Sequence, residues 1–317
     1  MKGENIVNKD VARIKAEVEK VVSGKGEMID KVVATVIAGG HILLEDIPGV
    51  GKTTLALALS KALGLSFNRV QFTPDVVPSD ITGFTMYQKE TGQFKYIEGS
   101  ILCNFFLADE INRTSSKTQS ALLEVMQEGK VTVDGISHQT PKPFVVMATQ
   151  NPLGSAGTQM LPEAQLDRFM IRISMGYPSF DAQIEILQRR SASDPMEQVE
   201  AVCRAEDVEA MKKAAMAVDV DEKIYRYVTA LVEATRDNEY IKLGASPRAA
   251  LALVQMAKAK AYMQERGYVI PEDVEEIYVD VCAHRLIMDS RAIIEGIKAE
   301  DVLKKILEQV KPQRIQL

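Results

Sequence analysis

Apolar positions recur along this chain with two different periods, and the change from one to the other divides it. Over residues 8–22, Val11, Ile14, Val18 and Val21 fall at the three- and four-residue intervals of a helix face. The turn residues Ser23-Gly24-Lys25-Gly26 lead to a second apolar helical stretch, 28–38, which Gly39-Gly40 ends. Short apolar runs follow at Ile42-Leu43-Leu44, 104–109 and 144–149, and the more polar segments 67–72 and 170–175 read as two further strands. Runs of this length, apolar on both faces of the pleat, predict buried parallel strands. Helical stretches lie between them at 55–63 and after Thr114-Ser115. The second turns Leu122, Val125 and Met126 inward and stops at Gly129. Lys130-Val131-Thr132-Val133-Asp134-Gly135 predicts a strand entering an Asp-Gly turn, hence a hairpin. Residues 73–100 are rich in Pro, Gly, Ser and Thr, with alternating pieces at 84–87 and 94–97; so long a segment inside a compact core is expected to be functional. From about residue 181 the pattern is almost wholly helical: 182–190, 205–218, 221–235, 247–264, 271–285 and 299–310. Leu251, Leu253, Val254 and Ala257 supply the apolar face expected of the fourth of these. The change of period places a domain boundary near Tyr177-Pro178, giving an α/β unit over 1–178 and a helical unit over 179–317.

The break after the first strand carries chemistry. Pro48-Gly49-Val50-Gly51-Lys52-Thr53-Thr54 stands between strand and helix, where backbone N–H groups at a helix N-terminus can cradle polyphosphate. Lys52 can then reach β- and γ-phosphates, and the Thr53 hydroxyl can ligate magnesium. One position departs from G-x-x-x-x-G-K-[ST]: Asp46 stands where the first glycine is wanted, so the loop reads as a variant whose turn is served by Pro48, Gly49 and Gly51. A glycine turn without a ligand is the alternative for this loop taken alone. Downstream, Asn104-Phe105-Phe106-Leu107-Ala108-Asp109-Glu110 is an apolar strand ending in two carboxylates. Asp109 is suited to hold magnesium through water, and Glu110 to polarise an attacking water. Phosphoryl transfer asks a protein mainly for such positioning and charge stabilisation. His41 opens the first strand and is assigned no chemistry.

Composition narrows the field. At 317 residues two domains are the default expectation. Scarce aromatics and the lack of Trp argue against a stacking platform for single-stranded nucleic acid. The net charge of −6 argues against a general binder of phosphate backbones. Cys103, Cys203 and Cys282 are far apart and have no metal or disulfide spacing, so buried reduced thiols are expected. Met1-Lys2-Gly3-Glu4-Asn5 lacks an apolar signal core and no run approaches membrane-spanning length, which makes a cytoplasmic location the expectation.

Two further motifs follow in order, Thr149-Gln150-Asn151-Pro152 and Leu161-Pro162-Glu163-Ala164-Gln165-Leu166-Asp167-Arg168-Phe169. With Asp109-Glu110-Ile111-Asn112-Arg113, Lys117-Thr118-Gln119-Ser120-Ala121-Leu122-Leu123-Glu124 and Gly244-Ala245-Ser246-Pro247-Arg248, the chain resembles the MoxR family of AAA+ ATPases over nearly its whole length. The family belongs to the helix-2-insert clade, whose two inserts the segments 73–100 and 130–142 resemble. The resemblance implies a three-layer α/β P-loop NTPase core with a five-stranded parallel sheet, followed by an all-α lid. ATP with Mg2+ would sit at the sheet's carboxyl edge between the two units. It further implies that Asn151 senses the phosphate or attacking water, and that Arg168 is an arginine finger supplied to the neighbouring subunit. Arg248 would be a second sensor reaching from the lid to the γ-phosphate, and Val22-Ser23-Gly24 an adenine-facing hinge. On the residues alone, Asn151 reads equally as a turn former before Pro152, and Arg168 as a salt-bridge partner of Asp167 or Glu163. Arg248 reads as a solvated charge at a helix start. Arg113 either contacts a phosphate across an interface or pairs with Glu110.

A finger acting in trans implies a closed homo-oligomeric ring, expected to be a hexamer. The biological role the resemblance implies is chaperone-like maturation or activation of a partner, often one with a von Willebrand A domain. Three rivals stand beside it: the motor of a metal-chelatase assembly, a nucleic-acid motor of the same clade, and a nucleotide-switched binding module. Acidic balance and few aromatics weigh against the second, and Glu110 with Arg168 against the third.

Overall fold

A computed structural model of the chain describes residues 8–151, 159–192 and 194–312; the segment read above for a signal core, and Pro152, lie outside these. Helix α1 (Lys9–Glu19) begins at Asn8, whose side chain accepts from the Asp10 amide, and buries Val11, Ile14 and Val18. Helix α2 (Gly26–Ala38) ends at Gly39, whose φ of 75° is the left-handed cap that glycine adopts without steric cost. Strand β1 (Ile42–Glu45) runs into the glycine loop and α3 (Lys52–Ala62), and β2 (Phe67–Gln71) follows. An excursion made of α4 (Pro78–Thr82) and the hairpin of β3 (Gly83–Gln88) and β4 (Gln93–Glu98) precedes β5 (Phe105–Asp109). Helix α5 (Ser116–Glu128) is capped by Ser115 and leads to a second hairpin, β6 (Lys130–Val133) and β7 (Ile136–Gln139). Its turn residues Asp134 and Gly135 both have positive φ, 50° and 79°, as the Asp-Gly pair predicts. Strand β8 (Val145–Gln150), α6 (Glu163–Leu166) and β9 (Ile171–Ile173) complete this part.

The five core strands form one parallel sheet in the order β2-β5-β8-β1-β9, the five-stranded parallel sheet expected. Alternation of side chains sorts its two faces. Ile42, Leu44, Phe105, Leu107, Val145 and Met147 join one hydrophobic cluster; Leu43, Phe106, Ala108, Val146 and Ala148 join the other. The second cluster is closed by α5, through Leu122, Val125 and Met126. The first continues through α1, α2 and α3 into the helical part. His41 ties the base of this arrangement. Its Nδ1 accepts from the Val146 amide at 3.0 Å and its Nε2 lies 3.1 Å from the Met126 carbonyl, while burial pushes its pKa down to about 4.

The helical part comprises α7 (Phe180–Ala192), α8 (Ala205–Met216), α9 (Glu222–Arg236), α10 (Pro247–Met263), α11 (Pro271–Cys282), α12 (Ser290–Glu295) and α13 (Ala299–Gln309). A small antiparallel pair, β10 (Ile241–Leu243) with β11 (Ile287–Met288), interrupts it. Neither that pair nor α12 is long enough to carry a period. The apolar face expected of α10 also needs correction. Leu251 is 65% exposed, whereas Ala249, Ala252, Leu253, Met256 and Ala257 are buried. Two helical residues stand roughly 200° apart, so Leu251 and Leu253 cannot share a face. All three cysteines are buried and unbridged, and burial raises the thiols of Cys103 and Cys282 to about 12. Among the described residues no helix is long and apolar enough to cross a membrane.

Candidate functional site

The loop after β1 has the backbone that an anion site requires. Gly49 and Gly51 take φ of 86° and 99°, a region that side chains other than glycine's enter at a cost. A Cβ at Gly49 would meet nothing and one at Gly51 only Met175 Cε at 3.8 Å, so conformation and open approach, rather than crowding, call for glycine. Gly51 is the N-cap of α3 and supplies no side-chain cap, which leaves the first-turn amides of Lys52, Thr53 and Thr54 to an outside acceptor. Pro48 and Gly49 are exposed at the rim and Val50 is half-buried.

Asp46, the departure from the glycine pattern, is not a turn residue. It is buried, and its Oδ2 accepts from the Gly176 amide at 2.7 Å and the Ser174 hydroxyl at 2.9 Å; its Oδ1 accepts from the Ile47 amide. Burial alone would raise its pKa, but these donors hold it below the ordinary value. Its carbonyl accepts from Lys52 Nζ at 2.7 Å. Burial depresses the Lys52 pKa, and the carboxylates of Asp46, Asp109 and Glu110 oppose that shift; loop lysine and acid pair therefore share one electrostatic site.

The acid pair lies at the carboxyl end of β5. Asp109 is 8% exposed, and each of its oxygens is held: Oδ1 by the Thr149 hydroxyl at 2.6 Å, Oδ2 by Arg69 Nη2 at 2.7 Å and Nε at 3.2 Å. Glu110 adopts a left-handed backbone, φ 57° and ψ 47°, and its amide donates to Thr149 Oγ1 at 2.8 Å. Its carboxylate receives Arg113 Nη1 at 2.7 Å, so of the two readings of Arg113 the pairing is the one formed. Asn151 follows β8 directly and its carbonyl accepts from Asn112 Nδ2 at 3.3 Å. Lys52, Asp109, Glu110 and Asn151 thus gather where β1, β5 and β8 end. Two of the groups that hold the acids, Arg69 and Thr149, went unassigned in the sequence. Arg69 is the one cation on β2, a signal that could have marked it; Thr149 carries no mark beyond its place two residues before Asn151.

A cleft of about 200 Å³ opens beside Thr53 and Thr54, lined also by Lys20, Val21, Ser23, Ile186 and Arg189. Val22 itself is buried in the core at 6% exposure, so its neighbours Val21 and Ser23 present the hinge to the cleft. The two arginines lie elsewhere. Arg168 precedes β9, whose entry is tied to that of β1 by the Met170 amide donating to the His41 carbonyl at 2.8 Å. That is the amino edge of the sheet, and β1 alone spans roughly 13 Å between the edges. Arg168 Nη1 donates to the Leu123 carbonyl at 2.6 Å and forms neither anticipated ion pair. Asp167 is taken instead by Arg285 Nε at 2.7 Å and by Arg248 Nη1 at 3.6 Å. Arg248 consequently stands beside Arg168, with Leu251 and Gln255 on the same cavity wall, and not at this chain's own phosphate loop. Its ion pair with Asp167 lies at the opposite edge of the sheet from that loop.

Comparison with known proteins agrees with this architecture. The profile of the ATPase family associated with various cellular activities (AAA) matches residues 41–171, and that of the AAA lid domain matches 233–306. The chain is 46% identical over 294 residues to the uncharacterized protein YeaC of Bacillus subtilis, covering 93% of this chain and 92% of that one. It is 39% identical over 303 residues to the chaperone MoxR1 of Mycobacterium tuberculosis, covering 93% and 80%. A crystal structure of a candidate ATPase from Cytophaga hutchinsonii superposes with a TM-score of 0.90 at 39% identity, covering 96% of this chain and 95% of that one. A glycine loop, an acid pair and the strand that ends before Asn151, in this order on one parallel sheet and joined to a lid, together with these relatives place the chain in the MoxR family of AAA+ ATPases.

Proposed function

We propose that this ATPase works as a homo-oligomeric ring, expected to be a hexamer, in which magnesium-dependent ATP hydrolysis remodels or activates a partner protein. The observation that carries the ring is the separation of Arg168 and Arg248 from the loop and the acids of the same chain. A site that holds its loop and its acids, but has neither Arg168 nor Arg248 beside them, is finished by a neighbour presenting its own amino edge. Such an interface is head-to-tail and closes only as a ring.

Within the site, the loop from Pro48 to Thr54 binds phosphate oxygens through the amides of Gly49 to Thr54, and Lys52 leaves the Asp46 carbonyl to neutralise the outer phosphates. The Thr53 hydroxyl and Asp109 are the groups that would hold Mg2+. A metal of this kind keeps most of its waters and takes one or two protein oxygens, which fits one hydroxyl and one carboxylate here. When bound, the ion neutralises charge developing on the phosphate oxygens. Glu110, released from Arg113, accepts the proton of the attacking water, and Asn151 orients that water or the γ-phosphate. The hinge at Val22 meets the base through backbone groups. We assign 1–178 to the nucleotide-binding unit and 179–317 to the lid, and the cytoplasm as the place of action. The relative named a chaperone supports a remodelling role, and a partner with a von Willebrand A domain is the class we propose.

The test is Glu110→Gln. Binding of ATP should persist while turnover falls by ~100-fold or more, as loss of a general base predicts. Hydrolysis at the wild-type rate would remove Glu110 from the mechanism.

A further inference from the structure

Thr149 is fully buried on β8 and uses both capacities of its hydroxyl on the acid pair. A carboxylate can only accept and an amide can only donate, so the direction of each bond is forced. Oγ1 donates to Asp109 Oδ1 at 2.6 Å and accepts from the Glu110 amide at 2.8 Å. The backbone explains why a side chain has this task. Pairing between β5 and β8 ends at Ala108 and Ala148, whereas pairing between β1 and β8 continues through Leu44–Thr149 to Glu45–Gln150. Past Ala108 the β5 chain parts from β8, keeps its pairing with β2 at Asp109, and then turns through the left-handed conformation of Glu110. The Thr149 hydroxyl takes the place of the missing ladder bond.

We infer that Thr149 is a positioning residue of the hydrolytic step, the tie through which the phosphate-loop strand holds the Asp109 carboxylate and the backbone of Glu110. On one side it is fixed by β1, which ends in the phosphate loop. On the other it sets where Asp109 faces and where the chain turns at Glu110. Arg69 still holds the other Asp109 oxygen when this hydroxyl is lost, so the carboxylate would be drawn toward Arg69 and away from the metal position. The inference rests on the roles proposed above for Asp109 and Glu110.

Thr149→Val keeps the shape and removes the hydroxyl; Thr149→Ser keeps the hydroxyl. The readouts are kcat against KM, and the magnesium concentration that half-saturates binding of a fluorescent ADP analogue, which needs no turnover. Thr149→Val should keep its nucleotide affinity at saturating magnesium, lose on the order of 100-fold in kcat as a misplaced catalytic group does, and need several-fold more magnesium. Thr149→Ser should restore both. A Val variant with unchanged kcat and magnesium dependence, or a Ser variant as impaired as Val, overturns the inference. If melting shows that the Val variant does not fold, Thr149→Ala is compared with Thr149→Ser by the same criteria. Glu110→Gln separates the two levels: if it is active, the proposed roles fall; if it is inactive while Thr149→Val is unimpaired, only the role of Thr149 falls.

Discussion

A single carboxylate, Asp46, replaces conformational freedom with a bond. Where the usual loop begins with glycine, this chain has a buried aspartate that spans from the end of β1 to the exit of β9 through Ser174 and Gly176. Hydrogen bonds to a charged group contribute about 1.5–3 kcal/mol each, and a donor left buried without a partner costs comparably. Asp46→Ala should therefore lower unfolding free energy by roughly 2–4 kcal/mol at neutral pH, measured by urea denaturation. The pH dependence has a definite sign. Because the native pKa lies below the ordinary one, this contribution is present above about pH 4 and is lost as pH falls through the native value. A gap between wild type and Asp46→Ala that persists unchanged into strong acid would contradict it. The departure itself was legible in the sequence, but its purpose was not, because Ser174 and Gly176 are its partners only once β9 lies beside β1.

Elements made of long or strongly patterned segments were readable from the chain alone. Strands β1, β5 and β8 follow from continuous apolar runs, α5 from Ser115 and Gly129, and the second hairpin from Asp134-Gly135. What escaped are connections between distant elements. The start of α10 is held against the entry of β9 by Asp167, whose carboxylate meets the buried Arg285. Arg285 also donates to the carbonyls of Phe169 at 2.7 Å and Met170 at 3.2 Å. No periodicity announces an arginine buried at the end of a helix, since its partners lie more than a hundred positions away in sequence. Removing one member of a buried pair leaves the other charge uncompensated. Arg285→Ala should thus cost roughly 3–5 kcal/mol in a denaturant titration, and a loss under 1 kcal/mol would mean that the pair is a bystander. The neighbourhood of Arg248 was hidden for the same reason: it pairs with Asp167, 81 positions before it in the sequence.

For the whole molecule, the decisive property is that Arg168 and Arg248 stand at one edge of the sheet and the acid pair at the other. Two inactive variants, Lys52→Ala and Arg168→Ala, should recover turnover when mixed, because a ring of both contains interfaces with an intact loop on one side and an intact arginine on the other. Light scattering is the control for mixed assembly; full-size mixed rings without any recovery would return Arg168 to a purely structural contact with Leu123. The sheet order sets a further condition. Strand β8 separates β1 from β5, so the loop and the acid pair stand two strand spacings apart, roughly 10 Å. Adjacent strands would have left half that gap, too narrow for a terminal phosphate, its ion and a water in line. The order of the strands thus acts as a gauge block, and an insertion that shifted β8 by one residue would leave that spacing intact yet turn Thr149 to the other face of the sheet, away from Asp109.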